Sequence, residues 1–78
     1  MNITPESMLA ARQWFADNAQ ACIAEVENGE VRVNDPAGYI AWRRQEAADA
    51  LAGKWDHTFA VRQRAQYIQT GECTPLLP

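Results

Sequence analysis

Two dipeptides, Asn28-Gly29 and Asp35-Pro36, constrain this chain more than anything else in it, because they divide 78 residues into pieces that read as helices. Gly takes the left-handed conformation that closes a helix, and Pro is favoured at the first position of the next one. A chain this short holds one domain, spanning residues 1–78, and buries only a modest fraction of its surface. Fourteen alanines raise helix propensity throughout. The expected fold class is all-α: a small three-helix domain with a short extended segment after the first helix and an ordered apolar C-terminal tail.

The first helix is marked by Thr4 as a cap, Pro5 at its first position and Glu6 near the positive end of its dipole. Met8, Ala11, Phe15, Ala19, Cys22 and Val26 fall on one stripe, with Ile23 beside it. Asn28-Gly29 can be read as the C-terminal cap of this helix or as a hairpin turn pairing Val26-Glu27 with Glu30-Val31. The cap is favoured. The 3.6-residue stripe runs through Val26, and the hairpin would oppose Glu27 to Glu30. Glu30-Val31-Arg32-Val33 alternates and reads as extended in either case.

Asn34 or Asp35 then caps a second helix, with Ile40, Ala47 and Leu51 as its buried stripe, flanked by Ala37, Ala48 and Trp55. Gly53 should end or kink it. Asp56 or Thr58 caps a third helix from about Phe59 to Thr70, with Val61, Ala65 and Ile68 facing inward and Gly71 closing it. Prolines keep the tail from Glu72 to Pro78 out of a helix, and Leu76-Leu77 is best explained by docking back onto the core.

The formal net charge is −3, unevenly spread. Residues 1–35 carry six acids and two bases, whereas residues 36–71 carry three acids and five bases. Arg43, Arg44, Arg62 and Arg64 would form one positive patch if the second and third helices packed antiparallel. Such a patch could grip phosphate or an acidic protein surface. A pI near 4.9 argues against a nucleic-acid module. A helix-turn-helix is conceivable around Gly53, but Gly53-Lys54-Trp55-Asp56-His57 is long for that turn. The acids Glu25, Glu27, Glu30 and Asp35 cluster around the first loop and could mimic a phosphate run, but four acids over eleven residues is not a dense mimic and a solvated loop is favoured.

Trp14 and Trp42 are the candidate anchors for a partner. Trp14 projects away from the apolar stripe of its helix, and Trp42 falls among Gln45, Glu46 and Asp49. Large aromatics facing outward meet either a partner or chain that wraps around them. Trp55 is expected in the core. Arg12 projects near the apolar face, either snorkelling to its edge or pairing with an acid across a subunit boundary.

Catalysis is not expected. Cys22, Cys73 and the single His57 lack the paired spacing of a zinc site, nothing places them for a Cys–His pair, and no glycine-rich phosphate loop or other cofactor motif is present. No metal or cofactor is expected. Met1 to Glu6 lacks the features of a secretory leader, and no apolar run is long enough for a bilayer. The expectation is a cytoplasmic protein with reduced thiols, and a homodimer is one route to extra buried area.

Thr58 to Pro78 reads TFAVRQRAQYIQTGECTPLLP. The Phe59/Arg62/Arg64 helix, Thr70-Gly71-Glu72-Cys73 and the Leu76-Leu77-Pro78 ending resemble the C-terminal ends of short accessory proteins of temperate enterobacterial phages and prophages. The likeness covers about a quarter of the chain. It implies a protein that binds and blocks a host machine, such as a nuclease, a polymerase or a defence complex, and it carries no site residues with it.

Overall fold

A computed structural model of the chain describes residues 2–72. It contains α1 (Pro5–Glu27), α2 (Pro36–Leu51) and α3 (Phe59–Thr70), and no strand among the described residues. The tail expected to dock, with Cys73 and Leu76-Leu77, lies outside them.

Each helix begins where the sequence places a cap. Thr4 Oγ1 accepts from Ser7 N at 3.2 Å, Asp35 Oδ1 from Gly38 N at 3.1 Å, and Thr58 Oγ1 from Val61 N at 3.4 Å. Each satisfies one of the four N–H groups that a helix start leaves without an internal acceptor. Asn28-Gly29 is a helix cap and not a hairpin turn. Gly29 has φ 78°, its N–H donates to Val26 O, and Glu30 N donates to Glu25 O. Gly53 repeats the device at the end of α2, with Gly53 N on Ala50 O and Lys54 N on Asp49 O. Paired bonds of this kind around a left-handed residue stop a helix and satisfy its last carbonyls.

α2 and α3 both pack on α1 and not on each other. α3 covers the first half of α1, where Ala11, Val61 and Ala65 are buried together, with Ile3, Met8 and Phe15 packed around them. α2 covers the second half, where Ala16 and Ala19 meet Ala47. The result is an extended body of 41 × 22 × 21 Å with a 14.2 Å radius of gyration, against about 11 Å for a compact chain of this length.

Three expectations of the core fail, the first two for one reason. Ala16 is buried, whereas Cys22 and Val26, read as stripe residues, are only half-buried. Ala50 is buried in α2, while Leu51 is 49 % exposed. Gln66 is buried in α3, while Ile68 is 40 % exposed. α1 serves two helices in succession, so its buried face turns by roughly a quarter of the circumference between Ala11 and Ala19 to Ile23 at 100° per residue. Where α1 meets α2 the inward positions are then set by close approach, which alanine permits and leucine blocks.

Candidate functional site: two aromatic and arginine surfaces

Arg12 explains how α2 hands over to α3. It leaves α1 and reaches the corner between the two helices, where its Nε donates to Asp56 Oδ1 at 2.9 Å and its Nη2 to Asp56 Oδ2. The same guanidinium lies against Gly53, where a Cβ would sit 2.8 Å from Nη2. Arg12 therefore neither snorkels nor waits for a second subunit; it pins the corner within its own chain. The Arg12 hydrogen bonds hold the Asp56 carboxyl below the usual carboxylate range, and the Asp56 acceptor raises the Arg12 guanidinium. With Asp56 turned inward, Trp55 is turned outward and is 39 % exposed, contrary to its expected place in the core.

Beside that corner the first surface forms where α1 meets α3. Trp14 and Phe15 pack edge to face, ring centres 4.9 Å apart. Arg64 lays its guanidinium 3.9 Å from the Trp14 ring centre and 5.3 Å from that of Tyr67. Phe59, Ala60, Gln63 and Tyr67 complete a cleft of about 320 Å³. The i, i+4, i+8 spacing of Phe59, Gln63 and Tyr67 places them in one row along α3. Phe59 is 60 % exposed and Trp14 39 %. Trp14 is thus part core and part surface, one face of its ring covered by an arginine from the other helix.

The second surface lies on α2 alone. Tyr39 and Trp42 pack edge to face at 5.9 Å. Arg43 stacks 4.7 Å from the Trp42 ring centre and 5.4 Å from that of Tyr39. Its Nε donates to the Tyr39 hydroxyl at 3.1 Å, and its Nη1 to Glu46 Oε1 at 3.1 Å. The Tyr39 hydrogen bond is the leading cause that raises the Arg43 guanidinium, with Glu46 adding to it. Trp42 is 56 % exposed, so the network holds a large aromatic ring in place at the surface without burying it.

The single positive patch expected of the four arginines is not there, because α2 and α3 do not pack on one another. Arg43 and Arg64 are instead engaged by separate tryptophans. Arg44 and Arg62 are exposed and make no ion pair among the described residues. Glu27, Glu30 and Asp35 are exposed around the first loop, with Glu25 half-buried. Asp35 has a structural task as the α2 cap. His57 is exposed, and Cys22 is free and half-buried. Among the described residues no group of three His, Cys, Asp or Glu side chains converges to hold a metal, and no helix is long and apolar enough to cross a membrane. The Arg12–Asp56 pair was missed because its members stand 44 positions apart. Its only trace in sequence is an arginine near an apolar stripe.

No protein-family model matches the chain, and no curated protein or solved structure matches it significantly.

Proposed function

We propose that this chain is a protein-binding module that acts by occupying part of the surface of a larger complex. The observation that supports this reading is the Trp42 surface. An indole more than half exposed is held by an arginine that is itself fixed by Tyr39 and Glu46. A pre-ordered aromatic beside a cation loses little conformational entropy on binding, and Trp, Tyr and Arg are the residues that dominate binding hot spots. Trp14 with Arg64 is a second surface of the same composition, and Arg44 and Arg62 are exposed cations that can set orientation. The resemblance of residues 58–78 to phage accessory proteins supports a bacterial host target in the cytoplasm, a nucleic-acid-processing or defence complex inhibited by steric blockade.

The test is a pull-down from bacterial lysate with tagged protein, with and without nuclease, alongside Trp42→Ala. A stoichiometric partner that survives nuclease and moderate salt, and is lost with Trp42→Ala, is the expected result. A hot-spot truncation of this kind costs about 2 kcal/mol or more of binding. The alternative is a small DNA-binding regulator using Arg43, Arg44, Arg62 and Arg64. It would show instead as recovery of nucleic acid that falls steeply with salt. The engagement of Arg43 with Glu46 and of Arg64 with Trp14 counts against it.

A further inference from the structure

We infer that the cleft between α1 and α3 is the docking site of this chain's own Pro75-Leu76-Leu77-Pro78 segment, which lies outside the described residues. The inference stands apart from the Trp42 reading, and a partner that used the Trp14 surface would first displace the segment. Its first support is a match of chemistry. The walls of the cleft are aromatic, with Trp14 and Phe15 from α1 and Phe59 and Tyr67 from α3. Segments of the form Pro-x-x-Pro dock in aromatic-lined grooves, because proline pre-sets their extended conformation and little entropy is lost on binding. Pro75-Leu76-Leu77-Pro78 is such a segment, and no residue from Cys73 to Pro78 is charged. Arg64, the cation that lines the cleft, is already stacked on Trp14 and Tyr67, so the cleft suits an apolar occupant better than an acidic one.

The second support is reach. Gly71 continues the i, i+4 row of Gln63 and Tyr67, so the chain leaves α3 in line with the side chains that line the cleft. Gly71 has φ 77°, the left-handed conformation that turns a chain off its helix axis. Measured back along α3 from Glu72, Tyr67 lies about 7.5 Å away and Phe59 about 20 Å, at 1.5 Å per residue. An extended chain leaving Glu72 in that direction places Pro75 at ~9 Å and Pro78 at ~19 Å, at 3.1 Å per residue. The four residues therefore span the cleft from Tyr67 to Phe59, with Leu76 and Leu77 between those two rings.

The tether also decides between occupants. A segment joined to the cleft by two or three residues is present there at an effective concentration in the millimolar range, and a second copy or a foreign chain must compete with it. The gain to the fold is specific. α3 is a helix of 12 residues, marginal without tertiary packing, and it meets α1 through Val61 and Ala65 while Phe59 and Tyr67 stay exposed. Two leucines laid over those rings give α3 a second layer of contact.

The experiment is NMR on the purified full chain, reading nuclear Overhauser contacts from the Leu76 and Leu77 methyl groups. A second sample mixes isotope-labelled with unlabelled chains, so that contacts between copies are seen separately. The expected result is contact of these methyls with the rings of Trp14, Phe59 or Tyr67 in the uniform sample, none between copies in the mixed one, and shifts unchanged by dilution. The full chain carrying Leu76→Ser with Leu77→Ser should then exchange its α3 amides faster, on the order of tenfold, with those of α2 unchanged, because α2 packs on α1 and not on α3. A folded wild-type chain without methyl-to-ring contacts overturns the inference. So do contacts seen between copies, the sign of a second chain in the cleft, or α3 amides indifferent to the double substitution. If the double variant fails to fold, the wild-type contacts decide alone. None of these outcomes bears on the pull-down with Trp42→Ala.

Discussion

Gly53 and Gly29 share a backbone conformation, and the difference in what surrounds them makes a controlled experiment. Both have φ 78°. Replacing either by alanine forces a Cβ into the left-handed region at a cost of about 1–2 kcal/mol. For Gly29 that is the whole cost, because nothing lies within 4 Å of the new atom. For Gly53 the new Cβ sits 2.8 Å from Arg12 Nη2 and 2.9 Å from Arg12 Cζ. Restoring ordinary contact distances near 3.5 Å moves the guanidinium by roughly 0.6–0.7 Å. A shift of that size is enough to take the 2.9 Å bond from Arg12 Nε to Asp56 beyond hydrogen-bond range. Gly29→Ala should therefore lower the melting temperature by roughly 4–8 °C for each kcal/mol lost, and Gly53→Ala should lower it further. The assay is thermal melting, with urea denaturation for the free energies, at fixed protein concentration and with Arg12→Ala as a second background. Once Arg12 is gone, Gly53→Ala should cost no more than Gly29→Ala, and the two sites should be coupled in a double-mutant cycle. Equal costs for the two glycines in wild type, or no coupling with Arg12, would refute the view that Arg12 is seated on Gly53.

Other consequences can be checked alongside. Asp56 has a folded-state pKa below its unfolded value, so its contribution to stability is present above the usual carboxylate range and is lost as pH falls through the folded value. Asp56→Asn should flatten the acid limb of a stability-against-pH curve and leave the slope above pH ~5 unchanged. Ala19→Leu, at a site with no exposure where α1 meets Ala47, should cost about 1–3 kcal/mol by overpacking, measured by chemical denaturation. Thr58→Ala should cost about 1 kcal/mol through loss of the α3 cap and raise amide exchange in the first turn of that helix.

The termini of all three helices were legible in the sequence, because caps are local chemistry. A Thr or Asp oxygen meets an N–H three residues on, and a Gly adopts positive φ, whatever the rest of the chain does. The inward faces were legible only in part. Periodicity over Met8 to Val26 finds one straight stripe, but α1 is shared by two helices and its buried face turns between Ala11 and Ala19. The outward positions of Trp14 and Trp42 could be suspected from helical projection. What could not be read was which arginine each ring would meet. Arg64 reaches Trp14 from 50 positions further along the chain, whereas Arg43 meets Trp42 as its neighbour in sequence. Trp55 misled because apolar composition was its only signal. Its orientation is fixed by the next residue, Asp56, turning in to Arg12.

The division of labour between small and large side chains has a consequence for separating folding from recognition. Burying a methyl group is worth about 0.8 kcal/mol, so the six alanines buried among the described residues contribute about 5 kcal/mol from their side chains, little against the entropy of ordering the chain. The residues with the largest apolar area, Trp42 and Phe59 among them, contribute little of theirs to the interior of the single chain. Their area is available to whatever covers them. Among the described residues the ring contacts of Trp42 are with Tyr39 and Arg43 on its own helix, so Trp42→Ala should leave the melting temperature within a few degrees of wild type while abolishing partner capture. Trp14 differs, because it supports Phe15 and Arg64 across the α1–α3 contact, and its truncation should lower stability as well as binding. If Trp42→Ala destabilised the chain as much as Trp14→Ala, the Trp42 surface would be part of the fold and its assignment to a partner would fall.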